Sequence, residues 1–125
     1  MDRITGTTVT FINVANRDRA LAFYRDTLGL ELRSSDPHGD FLELDGALMR
    51  LTAMADHKPG AHPVLGWNVE DISAAAASLR ARGVTFTIYD GMGQDDLGIW
   101  SSPDGKTKVA WFNDPDGNVL SLSQA

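Results

Sequence analysis

The pattern of hydrophobic and polar positions in the first half of the chain predicts one strand, then one helix, then three further strands. The strand-like segments are rich in β-branched and aromatic residues or alternate in polarity, and they lie at 7–14, 30–33, 41–44 and 48–52. Asn16 is a predicted helix N-cap, and apolar residues then recur with helical spacing up to Gly29, so we expect a helix over 17–28. Asp45-Gly46 predicts a two-residue hairpin turn.

The second half repeats this pattern. Residues 54–63 hold two prolines and a glycine without periodicity, which is typical of a linker. Asp71 is the predicted N-cap of a second helix that ends near Gly83, and the strand-like segments lie at 64–69, 84–89, 98–100, 108–112 and 119–122. Val14 and Val69 stand 55 residues apart and each precedes a capped helix, which indicates a duplicated β-α-β-β-β module.

Composition narrows the function classes. A chain of 125 residues is expected to form a single domain, with modules at about 4–53 and 64–124. The absence of cysteine excludes disulfides, thiolate metal sites and cysteine nucleophiles. The net charge of −6 without a basic cluster argues against nucleic-acid binding. There is no signal peptide or long apolar run, so we expect no membrane association and a cytoplasmic location.

Two motifs resemble the vicinal oxygen chelate superfamily, which includes glyoxalase I, extradiol dioxygenases, fosfomycin-modifying enzymes and bleomycin-resistance proteins. They are the stretch from Val14 to Leu32, which contains FYRDTLGLEL, and the stretch from Ala110 to Leu120, which contains FNDPDGN. The resemblance implies an α+β fold in which two tandem βαβββ modules form an incomplete barrel around a ligand cavity, with the helices outside. It also implies a homodimer.

Metalloenzymes of that superfamily hold a divalent ion at four positions, usually with His or Glu. Carried over residue by residue, the resemblance places these positions on Val9, Arg50, Val64 and Ser121. Valine has no donor atom, arginine has no acceptor and neutral serine is a poor ligand, so we expect no metal and no other cofactor. The three histidines, His38, His57 and His62, lie in predicted loops and are interpreted as surface residues.

Strand alternation then predicts which side chains face the cavity in the first module. Phe11 shares the face of Val9. The hairpin turn places Phe41 opposite Arg50 and makes Glu43 the diagonal neighbour of Arg50. An inward cation needs a partner, which is either Glu43 or a ligand with an anionic or carbonyl group.

In the second module, the predicted register of the last hairpin sets Phe112 opposite Val119 and Ala110 opposite Ser121, so that Phe112 shares the face of Ser121. Trp100 is expected near Lys108 on the same side. The residues expected in the core are Trp67, Trp111 and Leu120. The glycine-rich segment 90–97 is predicted to be a mobile loop that could close over a ligand.

These patterns favour a metal-free protein that sequesters a small organic molecule in the barrel cavity, without catalysis. The predicted ligand-binding residues are Phe11, Phe41, Glu43, Arg50, Trp100, Phe112 and Ser121. One alternative is a metal-dependent lyase, isomerase or dioxygenase with displaced ligands such as His62 and Glu43. Another is a dimeric partner-binding module. The acidic composition suits a cationic ligand, whereas Arg50 suits an anionic or neutral aromatic one.

Overall fold

A computed structural model describes residues 3–125, and the chain divides into two compact units between His57 and Lys58. Unit 1 contains β1 (Thr8–Val14), α1 (Arg17–Leu21), β2 (Leu32–Asp36), β3 (Gly39–Leu44) and β4 (Ala47–Ala53). Unit 2 contains β5 (Pro63–Asn68), α2 (Ile72–Ala81), β6 (Trp100–Ser101), β7 (Lys108–Asn113) and β8 (Val119–Gln124). Each unit therefore has the order strand, helix and three strands.

The sheet of unit 1 has the strand order β1-β4-β3-β2, with β1 parallel to β4 and the other pairs antiparallel. One face of this sheet is buried. The buried side chains from its strands are Ile12, Val14, Leu42, Met49 and Leu51. Because side chains alternate along a strand, the neighbouring residues point to the other face. This alternation was predicted for β1, where Phe11 is 65% exposed beside the 2% exposed Ile12.

The first helix begins as predicted and changes its hydrogen bonding midway. The Asn16 side chain accepts a hydrogen bond from the backbone N–H of Arg19, which confirms the N-cap. After Leu21 the chain continues as a π-helical segment, Ala22–Thr27, and Gly29 follows with a positive φ of 81°. Tyr24 in this segment is completely buried, so the helix covers the core side of unit 1.

The sheet of unit 2 has the order β5-β8-β7-β6 and repeats the same pairing, with β5 parallel to β8. Asp71 caps α2 by accepting a hydrogen bond from the N–H of Ala74, as predicted. The helix contacts β7 and β8. The fully buried Ala76 and Leu120 show that this side of the sheet forms the core of unit 2.

The predicted strand at 84–89 does not form. Phe86 makes a single isolated bridge to Phe112, and Thr87 N–H bonds to Trp111 O. The Gln94 side chain takes the bonds that a neighbouring strand would make, because it accepts from Tyr89 N–H and donates to Thr87 O. The Gln94 side chain therefore takes the place of a second neighbouring strand beside segment 84–89.

The predicted α+β class is confirmed: residues 3–125 contain two separate four-stranded mixed sheets and no closed barrel. Over the same residues, no helix is both long enough and apolar enough to cross a membrane.

Candidate functional site

The face of the unit 1 sheet that points away from its core carries the predicted side chains, and we call it the Arg50 face. Phe11, Arg50 and Phe41 form one row across β1, β4 and β3. In the next row Glu43 lies opposite Leu48, and Leu44 pairs with Ala47 at the turn. The register predicted from Asp45-Gly46 is confirmed.

Arg50 has a partner that the sequence did not indicate. Its Nη1 and Nη2 donate to Asp36 Oδ2 and Oδ1 at 2.8 and 3.1 Å. Its guanidinium carbon lies 4.8 Å from the centre of the Phe41 ring, a cation–π contact. The two hydrogen bonds from Arg50, together with the N–H groups of His38 and Gly39, hold the pKa of Asp36 well below its usual range.

Glu43 is not the partner of Arg50. Its carboxylate lies 3.6 Å from Nε of Arg33, at the position where the β2–β3 pairing shifts register. That irregularity turns Arg33 toward Glu43 and leaves Asp36 at the end of β2, opposite Gly39. Of the two partners expected for Arg50, Glu43 therefore pairs with Arg33 instead. Asp36 takes the position expected for an anionic group of a ligand.

A second arginine fixes the same hairpin from the core side. Arg17, the first residue of α1, donates from Nε and Nη2 to the carboxylate of Asp40 at 3.1 and 2.9 Å. Its Nη2 also donates to the carbonyl oxygens of Asp36 and Gly39. The hydroxyl of Ser35 donates to Asp40 as well, and hydrogen bonding to Arg17 lowers the pKa of this carboxyl. The predicted site residues did not include Arg17, Asp36 or Asp40, although the Asp36-Pro37-His38-Gly39 sequence is typical of a turn and could have placed the hairpin.

The corresponding face of unit 2, which we call the Ser121 face, differs from the prediction by one residue of register. Ser121 pairs with Trp111 and with Gly66, whereas Phe112 pairs with Leu120. A shift of one residue moves a side chain to the other face of the sheet. Trp111 therefore shares the face of Ser121, and the prediction that it belongs to the core was wrong.

Phe112 is correspondingly part of the core of unit 2. It is completely buried and contacts Phe86 edge to face, with ring centres 5.4 Å apart. The prediction that it shares the face of Ser121 was wrong. Leu120 lies in the core as expected.

Trp100 lies on the Ser121 face through a different neighbour from the one expected. It pairs with Val109, whereas Lys108 pairs with Ser101. Tyr89 packs edge to face on Trp111 at 5.4 Å and adds an aromatic ring that the sequence did not indicate. The Ser121 face thus presents Trp100, Trp111 and the Ser121 hydroxyl, and Ser123 lies on the same face.

The four positions where the resemblance implies a metal do not fit one. Val9 and Val64 supply no donor atom, and Arg50 is a cation bound to Asp36. Gly66 leaves room for the Ser121 hydroxyl, which lies where a Cβ would stand. Across residues 3–125, no three side chains of His, Asp or Glu are grouped so that they could hold a metal ion.

A separate cleft of about 350 Å³ lies in unit 2. It is lined by Arg80, Gly83, Val84, Thr85, Phe86, Ile88, Asp96, Leu97 and Gly98. The segment 90–97 borders this cleft and is held by side-chain bonds. Gln94 donates to Gly98 O, and Asp95 accepts from the N–H groups of Leu97 and Ile99. None of the predicted ligand-binding side chains lines the cleft.

The chain is similar to known proteins in sequence and in fold. The chain is 26% identical to a protein described as a probable lactoylglutathione lyase from Vibrio cholerae, over 92% of this chain and 87% of that protein. It is 27% identical to the antibiotic binding protein TnmS3 from a Streptomyces species, over 99% and 98% of the two chains, with a TM-score of 0.70.

The fosfomycin resistance protein FosX from Listeria monocytogenes has the same fold. Its TM-score is 0.76 at 13% identity, with 98% of this chain and 95% of that chain covered. The family model for the Glyoxalase/Bleomycin resistance protein/Dioxygenase superfamily matches residues 3–122. The chain therefore belongs to the glyoxalase/bleomycin resistance protein/dioxygenase superfamily.

Proposed function

We propose that this chain is a metal-free binding protein that holds a small organic molecule non-covalently and sequesters it. The observation that carries the proposal is the chemistry of Val9, Arg50, Val64 and Ser121. These residues replace metal donors with two alkyl groups, a cation and a hydroxyl. The guanidinium of Arg50 has no acceptor atom with which to bind a divalent ion.

The Arg50 face has the composition of a small-molecule site. Phe11 and Phe41 provide aromatic surface on either side of Arg50, and Phe11 is 65% exposed. Few polar groups among apolar walls are typical of sites that bind organic molecules. Trp100, Trp111 and Ser121 form the equivalent surface of unit 2. The antibiotic binding protein TnmS3, at 27% identity, supports a binding role.

We also propose that the protein acts as a cytoplasmic homodimer. Exposed large apolar side chains outside the Arg50 face, such as Ile4, Met54 and Met92, offer surface that a second copy would cover. Light scattering coupled to size-exclusion chromatography would give about twice the mass of one chain. A monomer at micromolar concentration would contradict this part of the proposal.

The alternative of a metal-dependent enzyme with His62 and Glu43 as ligands gains no support from the geometry. Glu43 is paired with Arg33, and His62 is an exposed residue just before β5. Metal-dependent turnover that disappears in His62→Ala would nevertheless overturn the binding role.

Calorimetric titration of compounds selected in a thermal-shift screen tests the binding role. Phe11→Ala should weaken binding about tenfold, because stacking on an exposed ring is lost. Ile88→Ala is the matched control, since Ile88 is 61% exposed but lies in the cleft of unit 2. If Ile88→Ala abolished binding and Phe11→Ala did not, the Arg50 face would not be the binding site.

A further inference from the structure

The charges on the Arg50 face are paired one by one. Asp36 neutralises Arg50, and Glu43 lies beside Arg33. The face therefore presents aromatic surface with no net charge, although it carries a guanidinium at its centre. The acidic composition suited a cationic ligand, whereas Arg50 suited an anionic or neutral aromatic one. A face without net charge favours the neutral ligand.

The Asp36–Arg50 pair is built into the hairpin. Asp36 Oδ1 also accepts the N–H groups of His38 and Gly39 at 2.7 and 3.0 Å, so the carboxylate is fixed by its own turn. Gly39 has no Cβ, which at this position would collide with the carbonyl oxygen of Leu51 and lie 3.2 Å from Cζ of Arg50. The Arg50 side chain is only 15% exposed in this arrangement.

An anionic group that approached Arg50 would meet a carboxylate already in place. It would have to displace Asp36 from two charge-assisted hydrogen bonds or accept a like charge next to it. A neutral oxygen meets no such repulsion. Asp36 uses two of the five N–H groups of a guanidinium, and a carbonyl or hydroxyl oxygen can accept from another.

We propose that Asp36 determines the charge selectivity of the Arg50 face, which binds neutral aromatic molecules bearing a carbonyl or hydroxyl oxygen and rejects aromatic carboxylates. This inference rests on the binding role proposed above and names its ligand class. Phe11 and Phe41 supply the stacking surface, and Arg50 supplies the hydrogen bond to oxygen.

Two nearly isosteric probes test this selectivity. 2-Acetylnaphthalene carries a methyl ketone where 2-naphthoate carries a carboxylate, so the pair differs in charge and little in shape. We expect the dissociation constant of the wild-type protein, measured by equilibrium dialysis at low salt, to be at least tenfold lower for the ketone.

Asp36→Asn should remove this preference. Asparagine keeps the Oδ1 acceptor for the turn, and the ratio of the two dissociation constants should fall at least tenfold. Asp45→Asn is the matched control, because it is the same substitution at an exposed turn residue of the same unit and leaves Arg50 paired. Its ratio should change less than threefold. Far-UV circular dichroism confirms that both variants fold.

The outcomes separate the two proposals. A wild-type preference for naphthoate, or equal shifts in Asp36→Asn and Asp45→Asn, would overturn the role of Asp36 and leave the binding role intact. If neither probe binds to any of the three proteins, the proposed ligand class is wrong. The binding role itself fails only if the thermal-shift screen also finds no ligand.

Discussion

Asp40 and Arg17 form an ion pair in which the carboxylate is buried. We expect the stability of unit 1 to depend on this polar contact more than on any other. Asp40 is 2% exposed and accepts hydrogen bonds from Arg17 and from the Ser35 hydroxyl. In Asp40→Asn an amide NH2 replaces one carboxylate oxygen. One acceptor and the negative charge are then lost, while the volume is unchanged.

The cost follows from these contacts. A hydrogen bond to a charged group contributes about 1.5–3 kcal/mol, and breaking a fully buried ion pair costs about 3–5 kcal/mol. Because the Arg17 side chain is 27% exposed, water can solvate part of it after the substitution. We expect Asp40→Asn to lower the free energy of unfolding by about 2–3 kcal/mol. For a chain of this length the midpoint of thermal unfolding would fall by about 10 °C.

Urea unfolding followed by far-UV circular dichroism measures this loss. All three tryptophans lie in unit 2, so tryptophan fluorescence in the same samples reports whether the two units unfold together. Asp36→Asn is the matched control, the same substitution on the same hairpin at a side chain that is 41% exposed. A cost below about 1 kcal/mol for Asp40→Asn, or an equal loss in Asp36→Asn, would refute this reasoning.

Three further predictions test the register and the charges. Phe112→Ala should cost about 3–5 kcal/mol in the free energy of unfolding, whereas Trp111→Ala should cost less than half of this; equal losses would contradict the observed register. Gly66→Ala should cost about 1–3 kcal/mol through collision with the Ser121 hydroxyl, and Ser121→Ala in the same chain should restore most of it, as urea unfolding would show. The pKa of Asp40 is lower in the folded than in the unfolded state, so the unfolded chain binds the proton first and stability should fall as the pH drops below about 4. Asp40→Asn should make acid unfolding less steep; an unchanged acid transition would contradict this contribution.

The part of the site that the sequence predicted correctly lies next to a tight turn. Asp45-Gly46 allows only one pairing of its two strands, and Phe41 therefore lies opposite Arg50 as expected. For a two-residue loop, the residues of the turn are sufficient to predict the register of the two strands.

The register of the last hairpin was missed because its turn is longer. Asp114 N–H bonds to Asn118 O, and the Asp114 side chain accepts the N–H groups of Asp116 and Asn118. This closes a five-residue loop that pairs Asn113 with Val119. The four-residue turn Asp114–Gly117, one residue shorter, would have produced the predicted register. The two registers place opposite sets of residues on the Ser121 face.

The local sequence pattern could not predict which residue pairs with Arg50. Asp36 lies 14 residues away on another strand, beyond an irregularity at Arg33 that shifts the pairing of β2. Sequence alternation predicts which face a side chain occupies, but not where a neighbouring strand slips. The charge state of the face therefore required the structure.

The metal content of the protein is the most direct test of the metal-free binding role. The purified chain, freed of any tag, is exposed in turn to Zn²⁺, Ni²⁺, Mn²⁺ and Fe²⁺, desalted and analysed by elemental mass spectrometry, with a sample treated with chelator as the baseline. We expect far less than one ion per chain in every case, because Val9, Arg50, Val64 and Ser121 offer no set of metal donors. One tightly held ion per chain would contradict it and would make metal-dependent catalysis the leading hypothesis.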